Sequence, residues 1–272
     1  MKGLWWMFDS FNRRINYLRI SVTDRCNLRC VYCMPAEGVP LLRHQDILSF
    51  DEIVEVTKTA VKLGVDKVRI TGGEPLVRKG IADLVKMIAS IEGISDLSMT
   101  TNGTFLETFA QPLADAGLHR VNISLDTIDP EKYRQITRLG EINQVFRGIE
   151  AARKAGLFPI KINCVVKNNS SEPDALQVKA FAEKENLQVR FIPEMNLETG
   201  DFGLVEGGEG GNCKMCNRLR LTANGKIKPC LFSDLEFDVR QLGSEIAIKM
   251  AIEKKPRAGL MNTVNGFSNI GG

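Results

Sequence analysis

Histidine is scarce. With only His44 and His119 in 272 residues, neither beside an evident partner, the commonest general acid and base has almost no representation. Both fall near expected helix ends or loops, where a surface role suffices. One-sided charge is missing too: 36 Lys and Arg against 33 Asp and Glu leave a formal net charge of +3. That is too small to argue for a nucleic-acid or membrane-surface partner, and the basic run Lys254-Lys255-Pro256-Arg257 reads as a solvated segment. No apolar run approaches the roughly 20 residues of a membrane span. Met1–Ser10 carries Leu4, Trp5, Trp6, Met7 and Phe8 but is too short for a secretory core and has no small-residue cleavage site. The two tryptophans are expected to pack this arm onto the body. The glycine-rich stretch 199–211 is followed by no Gly-Lys-Ser or Gly-Lys-Thr, which removes the common phosphate loop. A composition of 43% hydrophobic and 25% charged residues excludes wholesale disorder and leaves one large α/β domain, or one domain with a small appendage.

What is present is cysteine, in groups: Cys26, Cys30 and Cys33, then Cys164 alone, then Cys213, Cys216 and Cys230. In a chain with no export signal, thiols point to a reducing, cytoplasmic setting and serve metals or catalysis more often than disulfides. Cys26-x3-Cys30-x2-Cys33 offers three thiolates where a [4Fe-4S] cluster normally takes four. Such a cluster would leave one iron open to an exogenous ligand. The same spacing also suits a structural zinc ion whose fourth ligand lies elsewhere. Cys213-x2-Cys216-x13-Cys230 repeats the arrangement; a zinc ribbon would want a second Cys-x2-Cys pair, which the chain lacks. Cys164 could lend a fourth thiol, although a lone strand cysteine is more often a small buried apolar residue.

From Tyr17 to Pro193 short β-branched runs alternate with longer amphipathic ones. Strands are predicted near Tyr17–Thr23, Lys67–Thr71, Ile94–Thr100, Arg120–Leu125, Pro159–Val166 and Gln188–Pro193. Helices are predicted near Asp51–Leu63, Ile81–Ile91, Thr104–Ala116, Asn143–Ala155, Ala175–Glu185 and, in the tail, Ser244–Glu253. Asp51 is the expected N-cap of the first helix, and Gly64, Gly117 and Gly156 are expected helix stops. Strand alternating with helix implies parallel strands, and six are too few to close an eight-stranded barrel. The expected fold is therefore α/β: a partial, open (β/α)6 barrel over residues 1–198, with a small cluster-binding module and tail over 199–272. Active sites in such folds lie in loops after the strands. The cysteine loop, Thr71-Gly72-Gly73-Glu74-Pro75, Thr100-Thr101-Asn102-Gly103 and Ser124-Leu125-Asp126 all fall there. Glu74 could accept from an amine, and Arg218 and Arg220 alternate with Leu219 and Leu221, which places both guanidinium groups on one strand face.

The run Thr23-Asp24-Arg25-Cys26-Asn27-Leu28-Arg29-Cys30-Val31-Tyr32-Cys33-Met34-Pro35 resembles the cluster loop of radical S-adenosylmethionine enzymes. Together with Cys216-Asn217-Arg218-Leu219-Arg220-Leu221 and the closing Lys228-Pro229-Cys230-Leu231-Phe232, it resembles in detail the GTP 3',8-cyclase family of molybdenum cofactor biosynthesis. The resemblance implies S-adenosylmethionine and two [4Fe-4S] clusters, one on Cys26, Cys30 and Cys33 and one on Cys213, Cys216 and Cys230. It implies that Tyr32, Gly73, Ser124 and Met195 contact S-adenosylmethionine. Arg19, Arg69, Thr100, Lys161, Arg218, Leu219 and Arg220 would contact GTP, with Arg218 and Arg220 in a catalytic role. Lys67 and Arg190 would join the same basic mouth, and Gly271-Gly272 would reach into the site. Implied partners are GTP and a one-electron donor, flavodoxin or a similar reductant, with no nucleic acid and no membrane, in a monomer or homodimer. The match runs from Phe8 to Met195 and resumes at Gly211. Between these points the family carries several tens of further residues, and the part after Cys230 is also short. A reduced scaffold keeps two other readings open: a related radical enzyme acting on a peptide or another small molecule, and a zinc-stabilised binding protein.

Overall fold

Alternation along the first strand sets the architecture: β1 (Tyr17–Ser21) turns Leu18 and Ile20 one way and Tyr17 and Arg19 the other. In the computed structural model, which describes residues 7–271, both apolar side chains are fully buried in the main core and both others line a cavity. The pattern recurs in β2 (Lys67–Thr71), β3 (Asp96–Thr101), β4 (Arg120–Ser124), β5 (Lys161–Val166) and β6 (Gln188–Pro193). Neighbours pair in parallel, and the crossovers are α1 (Phe50–Lys62), α2 (Ile81–Ala89), α3 (Leu106–Asp115), the pair α4 (Pro130–Thr137) and α5 (Ile142–Lys154), and α6 (Pro173–Lys184). Helices bury their apolar stripes on the outer face of the sheet, so its polar inner face is left for a ligand. β6 does not close on β1, and the barrel is open.

The free edge of β1 is taken by β7 (Arg218–Leu221), again in parallel, followed by antiparallel β8 (Lys226–Lys228) and β9 (Phe237–Asp238). The sheet thus runs β6-β5-β4-β3-β2-β1-β7-β8-β9, and the C-terminal part extends it. Helices α7 (Val239–Leu242), α8 (Ser244–Glu253) and α9 (Phe267–Ile270) complete the chain, α8 packing on α1. A second small core gathers Leu197, Leu231, Phe232 and Ile270, with Phe202 stacked on Phe232 at 4.5 Å. The glycine-rich stretch 199–211 pairs with the free edge of β6. Phe191 and Glu206 exchange main-chain hydrogen bonds at 3.0 Å in both directions, which covers an edge strand.

Two local expectations are corrected. The N-cap of α1 is Ser49, not Asp51: its hydroxyl accepts from the Glu52 N–H while the Glu52 carboxylate accepts from the Ser49 N–H. Helix α4 was not predicted; its low hydrophobicity hid it, although Asp129 followed by Pro130 is a cap and first-turn signal. The expectation for Trp5 and Trp6 falls outside the described residues, as does that for Gly272. No helix among the described residues is long and apolar enough to cross a membrane.

Candidate active site

The first thiol group hangs from the end of β1 and is tied on three sides. Asn27, between Cys26 and Leu28, accepts from Asn102 Nδ2 at 2.8 Å and donates to Thr104 Oγ1 at 2.9 Å. Tyr32 donates its hydroxyl to Asp126 Oδ2 at 2.7 Å, and Asp126 Oδ1 takes the Val165 N–H at 2.8 Å. On the third side Arg29 and Val31 donate their main-chain N–H groups to the last carbonyls of α4. The Gly72-Gly73 turn lies directly against this loop: a Cβ at Gly73 would sit 2.4 Å from the Arg25 carbonyl oxygen. Only glycine therefore lets the second loop reach the first. Glu74 does not extend toward a ligand amine. Its carboxylate is buried and accepts from Thr101 Oγ1 and Asn102 N at 2.7 Å and Leu76 N at 3.0 Å, and burial pushes its pKa up to about 7. Burial likewise raises Cys26 to about 11, whereas Cys30, hydrogen-bonded by Cys33, is lowered.

Across the cavity stands the second group. Cys213 and Cys216 flank a single helical turn before β7, and Cys230 follows β8. Arg13, paired with Asp9 at 2.6 Å, donates to the Cys213 carbonyl at 2.7 Å. Lys255 is only 3% exposed and donates to the Arg218 carbonyl at 2.7 Å and the Pro229 carbonyl at 2.5 Å. The basic run holding it is therefore not wholly a solvated segment. Burial raises the Cys216 pKa, but the charges of Lys255 and Arg218 outweigh it and the thiol is lowered; Cys230 is raised by burial. Cys164 faces the outer core with Ile162 and Val166, so it supplies a fourth thiol to neither group.

Between the groups the sheet presents a belt of cations. Register places Arg19 level with Arg69 on one side and Arg220 on the other, with Arg120, Lys161 and Arg190 further along. Arg120 is paired with Asp96 at 2.5 Å, Arg69 donates to Ser98 Oγ at 3.2 Å, and Arg220 donates to the Gly271 carbonyl. Burial and mutual repulsion lower Arg19, Arg69, Lys161 and Arg190, and Arg220 falls to about 10. All six grouped cysteines line this cavity of about 680 Å³, together with Arg19, Tyr32, Arg69, Gly73, Thr100, Ser124, Lys161, Met195, Arg218 and Arg220. Leu219 is the exception among the expected contacts: its side chain is buried in the outer core, and it does not line the cavity. Sequence reasoning missed Arg120, although period-two spacing with Asn122 and Ser124 puts it on the inner face. It also missed Lys255, which nothing local distinguishes. Neither histidine lines the cavity.

The residues fit the groups the resemblance implies. Each thiol set numbers three, which suits a cluster with one open iron. Tyr17 Oη, Thr100 Oγ1, Asn163 Oδ1 and Arg190 Nε are buried in the cavity wall without a hydrogen-bond partner among the described residues, as expected of a wall built for a polar ligand.

Residues 20–182 match the Radical SAM superfamily and residues 173–260 match Molybdenum Cofactor Synthesis C. The GTP 3',8-cyclase of Thermodesulfovibrio yellowstonii is 43% identical over 282 residues, covering 87% of this chain and 88% of that protein. That of Moorella thermoacetica is 43% identical over 280 residues, covering 86% of each. With the GTP 3',8-cyclase of Alkaliphilus metalliredigens the match spans 320 positions at 36% identity, covering 98% of this chain and all of that protein. A span longer than 272 residues means that this relative carries internal residues without counterparts here. Among solved structures, native anSMEcpe with bound AdoMet shares the fold at TM-score 0.63 and 16% identity, covering 89% of this chain and 81% of that one. Streptococcus suis SuiB bound to S-adenosylmethionine does so at TM-score 0.54 and 19% identity, covering 68% and 43%. The chain belongs to the GTP 3',8-cyclase family within the radical S-adenosylmethionine superfamily.

Proposed function

We propose that the chain converts GTP to (8S)-3',8-cyclo-7,8-dihydroguanosine 5'-triphosphate in molybdenum cofactor biosynthesis. The observation that carries this reading is the cavity with a three-thiol group on opposing walls and a cationic belt between them. Cys26, Cys30 and Cys33 would hold one [4Fe-4S] cluster, and Cys213, Cys216 and Cys230 a second. When bound and reduced, the first cluster would supply the electron that cleaves S-adenosylmethionine to methionine and a 5'-deoxyadenosyl radical; that radical would take the ribose C3' hydrogen, C3' would join guanine C8, and a second electron with a proton would complete the dihydroguanosine product.

The chain's own residues do the placing. Tyr32, Gly73, Ser124 and Met195 form the cofactor's side of the cavity, Gly73 by allowing close approach of backbone. Arg19, Arg69, Lys161, Arg218 and Arg220 would neutralise the triphosphate and, with Thr100, fix the ribose against that side. The reductant is a small one-electron donor such as flavodoxin, the setting is the cytoplasm, and the assembly is a monomer or homodimer.

Anaerobic reconstitution followed by incubation with S-adenosylmethionine, dithionite and GTP tests the reading. It expects 5'-deoxyadenosine and loss of GTP together. Formation of 5'-deoxyadenosine with GTP neither bound nor consumed would leave radical chemistry standing and remove the cyclase assignment. Cys230→Ala should keep cofactor cleavage and lose GTP conversion; full GTP turnover in that variant would remove the second cluster from the mechanism.

A further inference from the structure

Helix α4 ends against the first cysteine loop, and the loop satisfies carbonyls that the helix itself cannot. Arg29 N–H donates to Thr137 O at 3.0 Å and Val31 N–H to Ile136 O at 2.9 Å. The next residue, Arg138, leaves the helix at φ +63° and ψ −37°, a conformation that costs a side-chain-bearing residue and persists only where its surroundings over-determine it. Here they do. Thr137 Oγ1 donates to the Tyr133 carbonyl at 2.7 Å and accepts the Gly140 N–H at 3.1 Å, and a Cβ at Gly140 would lie 2.6 Å from that oxygen.

The strained turn aims one guanidinium nitrogen at two targets. Arg138 Nη1 donates to the Arg29 carbonyl at 2.8 Å and to the Met34 carbonyl at 2.9 Å. Those carbonyls flank the segment holding Cys30 and Cys33 on either side, so a single cation closes the ends of the loop on each other with charge-assisted hydrogen bonds.

We propose that Arg138 is a positioning residue for the first thiol group, clamping the Arg29 and Met34 carbonyls so that Cys30 and Cys33 are held in a ligating arrangement. This rests on the reading of Cys26, Cys30 and Cys33 as a cluster site. The test compares wild type with R138A, R138G and R138K. In metal-free protein, alkylation of Cys30 and Cys33 by iodoacetamide, followed by mass spectrometry, should be about tenfold faster in R138A, with part of the protection recovered in R138K. R138G also loses the clamp but relaxes the main chain, so it should melt above R138A while its thiols alkylate at least as fast. After anaerobic reconstitution, R138A and R138G should show a weakened or altered electron paramagnetic resonance response of the cluster to S-adenosylmethionine. Wild-type alkylation rates in R138A and R138G would overturn the proposal. So would thiol exposure that merely tracks Tm across the variants, since that would make Arg138 a residue of the fold alone. If reconstituted wild type takes up no iron on this triad, the cluster reading fails, and the alkylation rates still decide whether Arg138 holds the loop.

Discussion

Asp126 shows how one buried carboxyl couples the cofactor side of the cavity to pH. It holds the Tyr32 hydroxyl on one oxygen and the Val165 N–H on the other, and burial pushes its pKa from 3.8 to about 6. A carboxyl whose folded pKa lies above its unfolded one gives its full stabilisation below about pH 4 and loses it as pH rises through about 6. Burial first, and then nearby negative charge that includes Asp126, holds the Tyr32 and Tyr133 hydroxyls protonated more firmly. Glu74, raised to about 7, acts in the same direction. Asp126→Asn keeps the shape: its oxygen still accepts from Val165, and the Tyr32 oxygen can accept from the new amide. In metal-free protein the wild-type Tm should fall by a few degrees more than the variant's between about pH 4 and pH 6.5. Glu74 is common to both proteins, so the difference isolates Asp126. Parallel melting curves would mean that this carboxyl is not buried as an acid.

Elements were more legible than their ends. The inner and outer faces of the six parallel strands follow from period-two alternation, and helix stops at Gly64, Gly117 and Gly156 follow from their positive φ. Acidic residues clustered at the start of α1 hid its cap, because Asp51 and Ser49 both suit the role and only the reciprocal bonds with Glu52 decide between them. Ser49→Ala should cost about 1 kcal/mol, or about 2–4 °C in Tm for a chain of this size, with nucleotide binding unchanged. Glu52 does more: it also pairs with Arg240 at 2.7 Å, joining α1 to α7, which draws its pKa down to about 2. Glu52→Ala should therefore lower Tm further than Ser49→Ala in a thermal melt. Equal losses would leave the exposed ion pair without weight, as many are. Helix α4 illustrates the opposite limit. Only Tyr133 and Thr137 of its eight residues are buried, so periodicity could not reveal it. The partners it offers the cysteine loop are main-chain carbonyls, which no side-chain pattern encodes.

For the molecule as a whole, a net charge of +3 conceals a strongly polarised interior. Arg19, Arg69, Arg120, Lys161, Arg190, Arg218 and Arg220 project into one cavity from six strands. Their lowered pKa values, where shifted, report burial compounded by mutual repulsion, which an anion would relieve. The connection at 199–211 lies against both ends of this belt: the Glu209 carbonyl accepts from Arg218 at 3.0 Å, and Gly208 lies against Arg190. A compact connection that touches the two outermost arginines supports polyphosphate binding in this cavity. In metal-free protein, each phosphate removed from GTP should weaken binding about tenfold, because each charge is taken from a partly desolvated cationic wall. Ligand-induced rises in Tm should then rank GTP above GDP above GMP and shrink as salt screens the site. Lys161→Ala should narrow the gap between GTP and GMP more than it lowers the affinity for GMP. Calorimetric titration of the three nucleotides at two ionic strengths decides the matter. Equal affinities for GTP and GMP would mean that the belt serves the fold and not the triphosphate.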